Sequence, residues 1–124
     1  MKKPYAMVFL VLAGAATAQT AAVRTPVPDP RPLMLAAIDS PSGQAYGVLT
    51  GQTAQAITHQ FKATTPVYID VTTVKRYAQP GCSRLSVRFW QDGVLLPGAA
   101  APRTQTIEFG INYCRDGLPP RALS

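Results

Sequence analysis

The chain has one histidine, one tryptophan, two cysteines and six acidic residues in 124 positions. Each shortage excludes some chemistry. His59 with two cysteines does not make a zinc site, which needs three or four nitrogen, sulfur or carboxylate ligands at recognisable spacing. Cys82 and Cys114 are not arranged as C-x-x-C, so a redox enzyme is not indicated. No G-x-S-x-G is present, and no serine has an identifiable His/Asp set. His59 falls on the polar side of an expected helix, away from any partner that would make it a base.

The carboxylates are equally unpromising. Asp92 and Asp116 precede Gly93 and Gly117, the Asp-Gly pair that serves turns. Asp70 and Glu108 fall on expected strands and would act as an acid/base pair only if they converged. No catalytic residue, no cofactor site and no metal site is expected. Basic residues are scattered, with Lys75-Arg76 the one adjacent pair after the N-terminus. A nucleic-acid footprint would cluster them on one element, so a nucleic-acid partner is not expected.

What is present begins with the N-terminus. Lys2 and Lys3 precede an apolar run, Ala6 to Ala16, and Ala16-Thr17-Ala18 is a small-x-small cleavage site. This is the three-part pattern of an export signal, cut before Gln19. The run is too short for a bilayer, which needs about 20 apolar residues. No later segment is long enough either, so no stable membrane insertion is expected after cleavage. The expected location is periplasmic, or secreted beyond. Losing Lys2 and Lys3 lowers the net charge from +6 to +4.

The expected domains are a signal at 1–18, a Pro-rich leader at 19–32 and one small domain at 33–124. The leader carries Pro26, Pro28, Pro30 and Pro32, and proline at alternate positions disfavours helix and ladder. It reads as an extended linker, with a docking arm as the sharper alternative. Leu33 to Ile38 is too short for its period to be read, although Pro32 can start a helix. Asp39 to Gly43 is a turn. Gln44 to Thr50 suggests a short strand with Tyr46 and Val48 on one face, weakened by Gly47. Thr53 to Lys62 reads as a helix: Ala54, Ile57 and Phe61 share a face, and Thr50 or Thr53 supplies the cap. Pro66 marks its end.

From Val67 the period becomes two. Val67, Ile69 and Val71 share a face, with Tyr68, Asp70 and Thr72 on the other. Leu85, Val87 and Phe89 alternate with Arg84, Ser86 and Arg88. Ile107, Phe109, Ile111 and Tyr113 alternate with Glu108, Gly110 and Asn112. Outside the cytosol a lone cysteine pair forms a disulfide. If Cys82 pairs with Cys114 across antiparallel neighbours, Arg84 faces Asn112, Ser86 faces Gly110 and Arg88 faces Glu108. Leu85, Val87 and Phe89 then meet Ile111, Phe109 and Ile107. A one-residue slip would destroy this sorting.

The apolar face needs a cover, and the Ala54/Ile57/Phe61 helix is the available one. The expectation is α+β: an antiparallel sheet of three to four strands, one packed helix and a single disulfide. Phe109 is expected to be buried, and Arg88 to pair with Glu108. The outer face carries Arg84, Arg88, Trp90 and Asn112, with Tyr68 nearby. Arg, Tyr and Trp are enriched at binding hot spots, which makes this face the candidate binding surface. The bland alternative is an ordinary solvated face. The tail Leu118-Pro119-Pro120 can dock on a neighbour or fold over the sheet.

The stretches YAQPGCSRLSVRFWQDGVLLPG and RTQTIEFGINYCRDGLPP, with their spacing, resemble a small family of exported proteins of unassigned function. These are encoded beside conjugative or type IV secretion genes. The likeness covers residues 44 to 120 and rests on G-C-S-R-L and Y-C-R-D-G-L-P-P. It implies an accessory role at a cell-envelope transfer apparatus, with another envelope protein as partner. The expected function is a non-enzymatic periplasmic binding or assembly module. The alternative is a small periplasmic hydrolase built on Asp70 and Glu108, or an inhibitor presenting the loop at 97–103.

Overall fold

The computed structural model describes residues 23–124, so the expected signal at 1–18 and the start of the leader lie outside the described residues. The elements run β1 (Thr25–Val27), α1 (Arg31–Asp39), β2 (Gln44–Leu49), α2 (Gln52–Gln60), β3 (Tyr68–Arg76), β4 (Cys82–Val94) and β5 (Arg103–Cys114). They form a single α+β unit with one five-stranded sheet in the order β1-β2-β3-β4-β5. The first pair is parallel and the rest are antiparallel. The sheet is thus larger than the expected three to four strands.

The additional edge strand comes from the Pro-rich segment. Proline forbids a central strand, but an edge strand tolerates it where the missing N–H would face outward. Thr25, Pro26 and Val27 align with Gly47, Val48 and Leu49. The Val27 carbonyl accepts from the Thr50 amide at 2.8 Å and the Thr50 hydroxyl at 3.2 Å. Thr50 therefore anchors β1 rather than capping the next helix. α2 has Gly51 at its N-cap with no side-chain bond.

The second departure concerns the cover. The sheet is covered by α1, not by the Ala54/Ile57/Phe61 helix. Leu33, Met34, Ala37 and Ile38 are buried and form one core with Val27, Leu49, Val67, Ile69, Val71, Leu85 and Val87. Each large side chain of that set contributes roughly 1.5–3 kcal/mol on burial. None of the α2 residues is fully buried; Ala54 and Ile57 only lean on the core margin.

Gly47 explains how α1 settles so close. A Cβ there would lie 2.5 Å from Leu33 Cδ1 and 2.9 Å from the Thr25 carbonyl. The missing side chain lets the helix and β1 meet at β2. At the other end of α1, Arg76 donates to the Ile38 carbonyl at 3.1 Å and the Ser40 carbonyl at 2.8 Å. These bonds tie the helix C-terminus to β3 and satisfy carbonyls that the helix leaves open.

The β4–β5 ladder has the expected register from Cys82 to Phe89, with Cys82↔Cys114, Arg84↔Asn112, Val87↔Phe109 and Arg88↔Glu108 all partners; it shifts between Gln91 and Val94. The disulfide joins Cys82 to Cys114, with Cα atoms 4.0 Å apart. The apolar face, however, is not uniformly covered. Leu85 and Val87 are 0% exposed, whereas Phe109 is 43% and Ile107 68% exposed. On β5 only Ile111 and Tyr113 pack against the core; Phe109 and Ile107 lie beyond it. Phe109 instead stacks on Phe89, with ring centroids 6.2 Å apart. The expected burial of Phe109 is overturned.

Candidate functional site

The outer sheet face is built by alternation. On β4, Arg84, Ser86, Arg88 and Trp90 point away from the core, and Tyr68 and Asp70 on β3 stand beside Trp90 and Arg88 in register. Tyr46 on β2 is the register partner of Asp70. The face therefore carries two distinct clusters.

The first is an aromatic enclosure around a cation. The Arg24 guanidinium lies 4.6 Å from the Tyr68 ring centroid, 5.3 Å from Trp90 and 5.8 Å from Tyr46. Its Nη1 donates to Asp70 Oδ1 at 2.7 Å and to the Gly47 carbonyl at 3.0 Å. The other Asp70 oxygen accepts from Trp90 Nε1 at 2.9 Å. Tyr68 and Trp90 are themselves in contact, with centroids 4.5 Å apart. Cation–π attraction and a charge-assisted bond act on the same guanidinium. The enclosure fixes Trp90 in orientation and ties the segment before β1 to the middle of the sheet.

The second cluster is basic. Lys75 and Arg84 are register partners on β3 and β4, and Arg88 stands four residues further along β4. All three are exposed, and none forms an ion pair among the described residues; the ion pairs there belong to Arg24, Arg31 and Arg115. Asn112 Oδ1 accepts from the Tyr77 hydroxyl at 2.6 Å and from Arg84 Nη1 at 3.2 Å. That holds the Arg84 side chain along the sheet. Lys75 Nζ lies 5.5 Å from the Tyr77 ring centroid.

The sequence-derived residues Arg84, Arg88, Trp90 and Asn112 thus do share one face, but they divide between the two clusters. The expected Arg88–Glu108 ion pair is absent. The two are register partners, yet Glu108 Oε1 accepts from the Ser86 hydroxyl at 2.7 Å. Alternation puts Tyr46 on one face with Val48 without saying which face is outward, and Arg24 lies in a stretch whose prolines read as linker.

Asp70 and Glu108 lie on the same face, flanking Arg88 from neighbouring strands. Two strand spacings separate them by roughly 9–10 Å. Both Asp70 oxygens are engaged, and neither carboxylate lines the clefts beside α2. One of those clefts, about 600 Å³, contains His59 beside Lys62 and Thr58. The other, about 350 Å³, is mostly apolar and lies between Ile57, Phe61, Phe89 and Ile107. The loop at 97–103 is exposed and joins β4 to β5. No group of three or more His, Cys, Asp or Glu residues positioned for a metal occurs among the described residues. No described helix is long and apolar enough to cross a membrane.

No protein-family model, curated protein or solved structure matches this chain.

Proposed function

We propose that this protein is a non-enzymatic binding or assembly module of the periplasm, whose outer sheet face receives a partner protein presenting acidic groups. The supporting observation is the exposed trio Lys75, Arg84 and Arg88 on one face of a rigid, disulfide-tied sheet, beside a Trp90 whose orientation is fixed. Cations clustered on one face give register and fast encounter with an acidic surface, and a fixed indole supplies buried area at little entropic cost. The N-terminal pattern supports export. The resemblance of residues 77–98 and 103–120 supports an accessory role at a type IV secretion or conjugation apparatus. A hydrolase reading is less well supported, because Asp70 is held by Arg24 and Trp90 and has no free oxygen to act as base.

The test is crosslinking in envelope extracts, followed by identification of what the protein captures. Wild type is expected to retain a distinct second protein, with retention falling as salt rises. The double variant Lys75→Glu/Arg88→Glu should lose it while melting at an unchanged temperature. Recovery with no other protein attached, or capture indifferent to both salt and charge reversal, overturns the proposal.

A further inference from the structure

β5 is a 12-residue strand at the end of the sheet, and among the described residues no strand lies beside its outer edge. Which of its groups face that edge follows from the phase of the β4–β5 ladder. The short Cα–Cα distance at Cys82–Cys114, 4.0 Å, marks a narrow pair that exchanges no bonds. Alternation then makes Leu85/Ile111, Val87/Phe109 and Phe89/Ile107 the bonded pairs. Thr106, Glu108, Gly110 and Asn112 must aim their N–H and C=O groups away from β4. Cys114, in the same phase, does so: its amide donates outward to the Leu118 carbonyl at 3.0 Å. No bond from the described residues occupies the backbone edge groups from Thr106 to Asn112.

That edge is complementary to itself. We infer that two copies of this chain associate through β5, antiparallel about a two-fold axis at Phe109, continuing the sheet from one copy into the other. In this register Glu108 of one copy lies opposite Gly110 of its partner, and Thr106 lies opposite Asn112. These are the residues whose backbone groups face outward, so each pair exchanges two N–H···O bonds. On the apolar face, Phe109 meets Phe109 and Ile107 meets Ile111. The half-exposed Phe109 and the exposed Ile107 are the side chains α1 leaves uncovered.

Charge favours this register over the one centred on Glu108. Gly110 has no side chain, and Arg84 fills the space: Nη2 lies 2.6 Å from where a Cβ would stand. Arg84 has no carboxylate partner among the described residues of its own copy. Glu108 of the second copy, opposite Gly110, arrives beside that guanidinium, and the symmetric contact forms at the other end. A shift that centres the axis on Glu108 instead sets two carboxylates against each other, which is repulsive.

Sedimentation of the folded, oxidised protein tests the association, and crosslinking tests the register. Wild type should show a concentration-dependent dimer. Glu108→Arg or Arg84→Glu should weaken it about tenfold or more, and the two together should restore it. Phe109→Cys should form a disulfide-linked dimer under mild oxidation, because a narrow pair at the axis brings the two Cα atoms within bridging distance. Glu108→Cys should not. A monomer at all concentrations overturns the inference. So does a dimer indifferent to both charge variants, or one crosslinked through position 108 rather than 109. Homodimer formation and capture of a second protein are read separately, so failure of either leaves the other standing.

Discussion

Arg24 reaches Asp70 across β2, its Nη1 2.7 Å from Oδ1, while the side chains of Tyr68 and Trp90 bound the same guanidinium. Both partners are about one-fifth exposed. The contact is the main polar attachment of the segment leading into β1. Arg24→Ala should therefore destabilise the fold by about 1–3 kcal/mol, the range for charge-assisted bonds sheltered from water. Trp90 is the sole tryptophan, so its fluorescence reports the loss directly. An unchanged emission spectrum and melting temperature would mean that the enclosure does not persist in solution.

Core and margin differ sharply along the β4–β5 pair. Leu85→Ala should cost about 2–5 kcal/mol, as expected for emptying a closed site. Phe109→Ala should cost about 1 kcal/mol, mainly its stacking on Phe89. These values apply to the monomer, so the melts are compared at concentrations where association is absent. Equal losses would indicate that β5 is covered in solution.

The disulfide joins residues 32 positions apart. Closing such a loop contributes roughly 3–4 kcal/mol in the chain-entropy treatment. Cys82→Ser/Cys114→Ser should lower the stability by that amount, and reduction of the wild type should match it. Alkylation without reduction should label neither cysteine.

Asp29 marks the entry to α1. Its carboxylate accepts from the Arg31 side chain and the Arg31 amide, each at 2.9 Å. The Arg31 side chain first, and the amide second, lower its pKa from 3.8 to about 2. A depressed carboxylate stabilises the fold above its unfolded pKa and loses that contribution as pH falls through the folded value. The contribution should fade between pH 4 and pH 2. Asp29→Asn should reduce the melting temperature slightly at pH 6 and not at all near pH 2. A carboxyl titration by NMR with a midpoint near 4 would contradict the arrangement.

The β4–β5 register could be read from the sequence because two constraints coincide there. A cysteine pair pins the phase, and alternation leaves a single pairing that keeps Leu85, Val87 and Phe89 on one side. Alternation identifies faces but does not say how far a cover extends, so it groups Phe109 with the core although Phe109 lies beyond it. The covering helix is hard to read for a similar reason. Leu33 to Ile38 is too short to reveal a period, while Ala54, Ile57 and Phe61 show one and yet remain at the margin. Arg24 was hidden by composition: a proline-rich stretch reads as linker unless its edge position is known. The surface formed by Arg84, Arg88, Trp90 and Asn112 was recovered as a face. Its division into a basic patch and an aromatic enclosure depends on β2 and on Arg24, which alternation within β4 and β5 does not contain.

The two ends of the sheet are unequal, and this bears on how far it can grow. A sheet open at both edges adds copies without limit, whereas one open at a single edge can only pair and stop. β1 is three residues long, and Thr25 and Val27 turn their backbone groups toward β2. The residue left facing outward is Pro26, which has no N–H to offer. Fibre-like growth is blocked at that end, so the exposed length of β5 can be kept without risking polymerisation. Replacing Pro26 with a residue such as Thr or Val would return an N–H to that edge and leave only the shortness of β1 to block growth there.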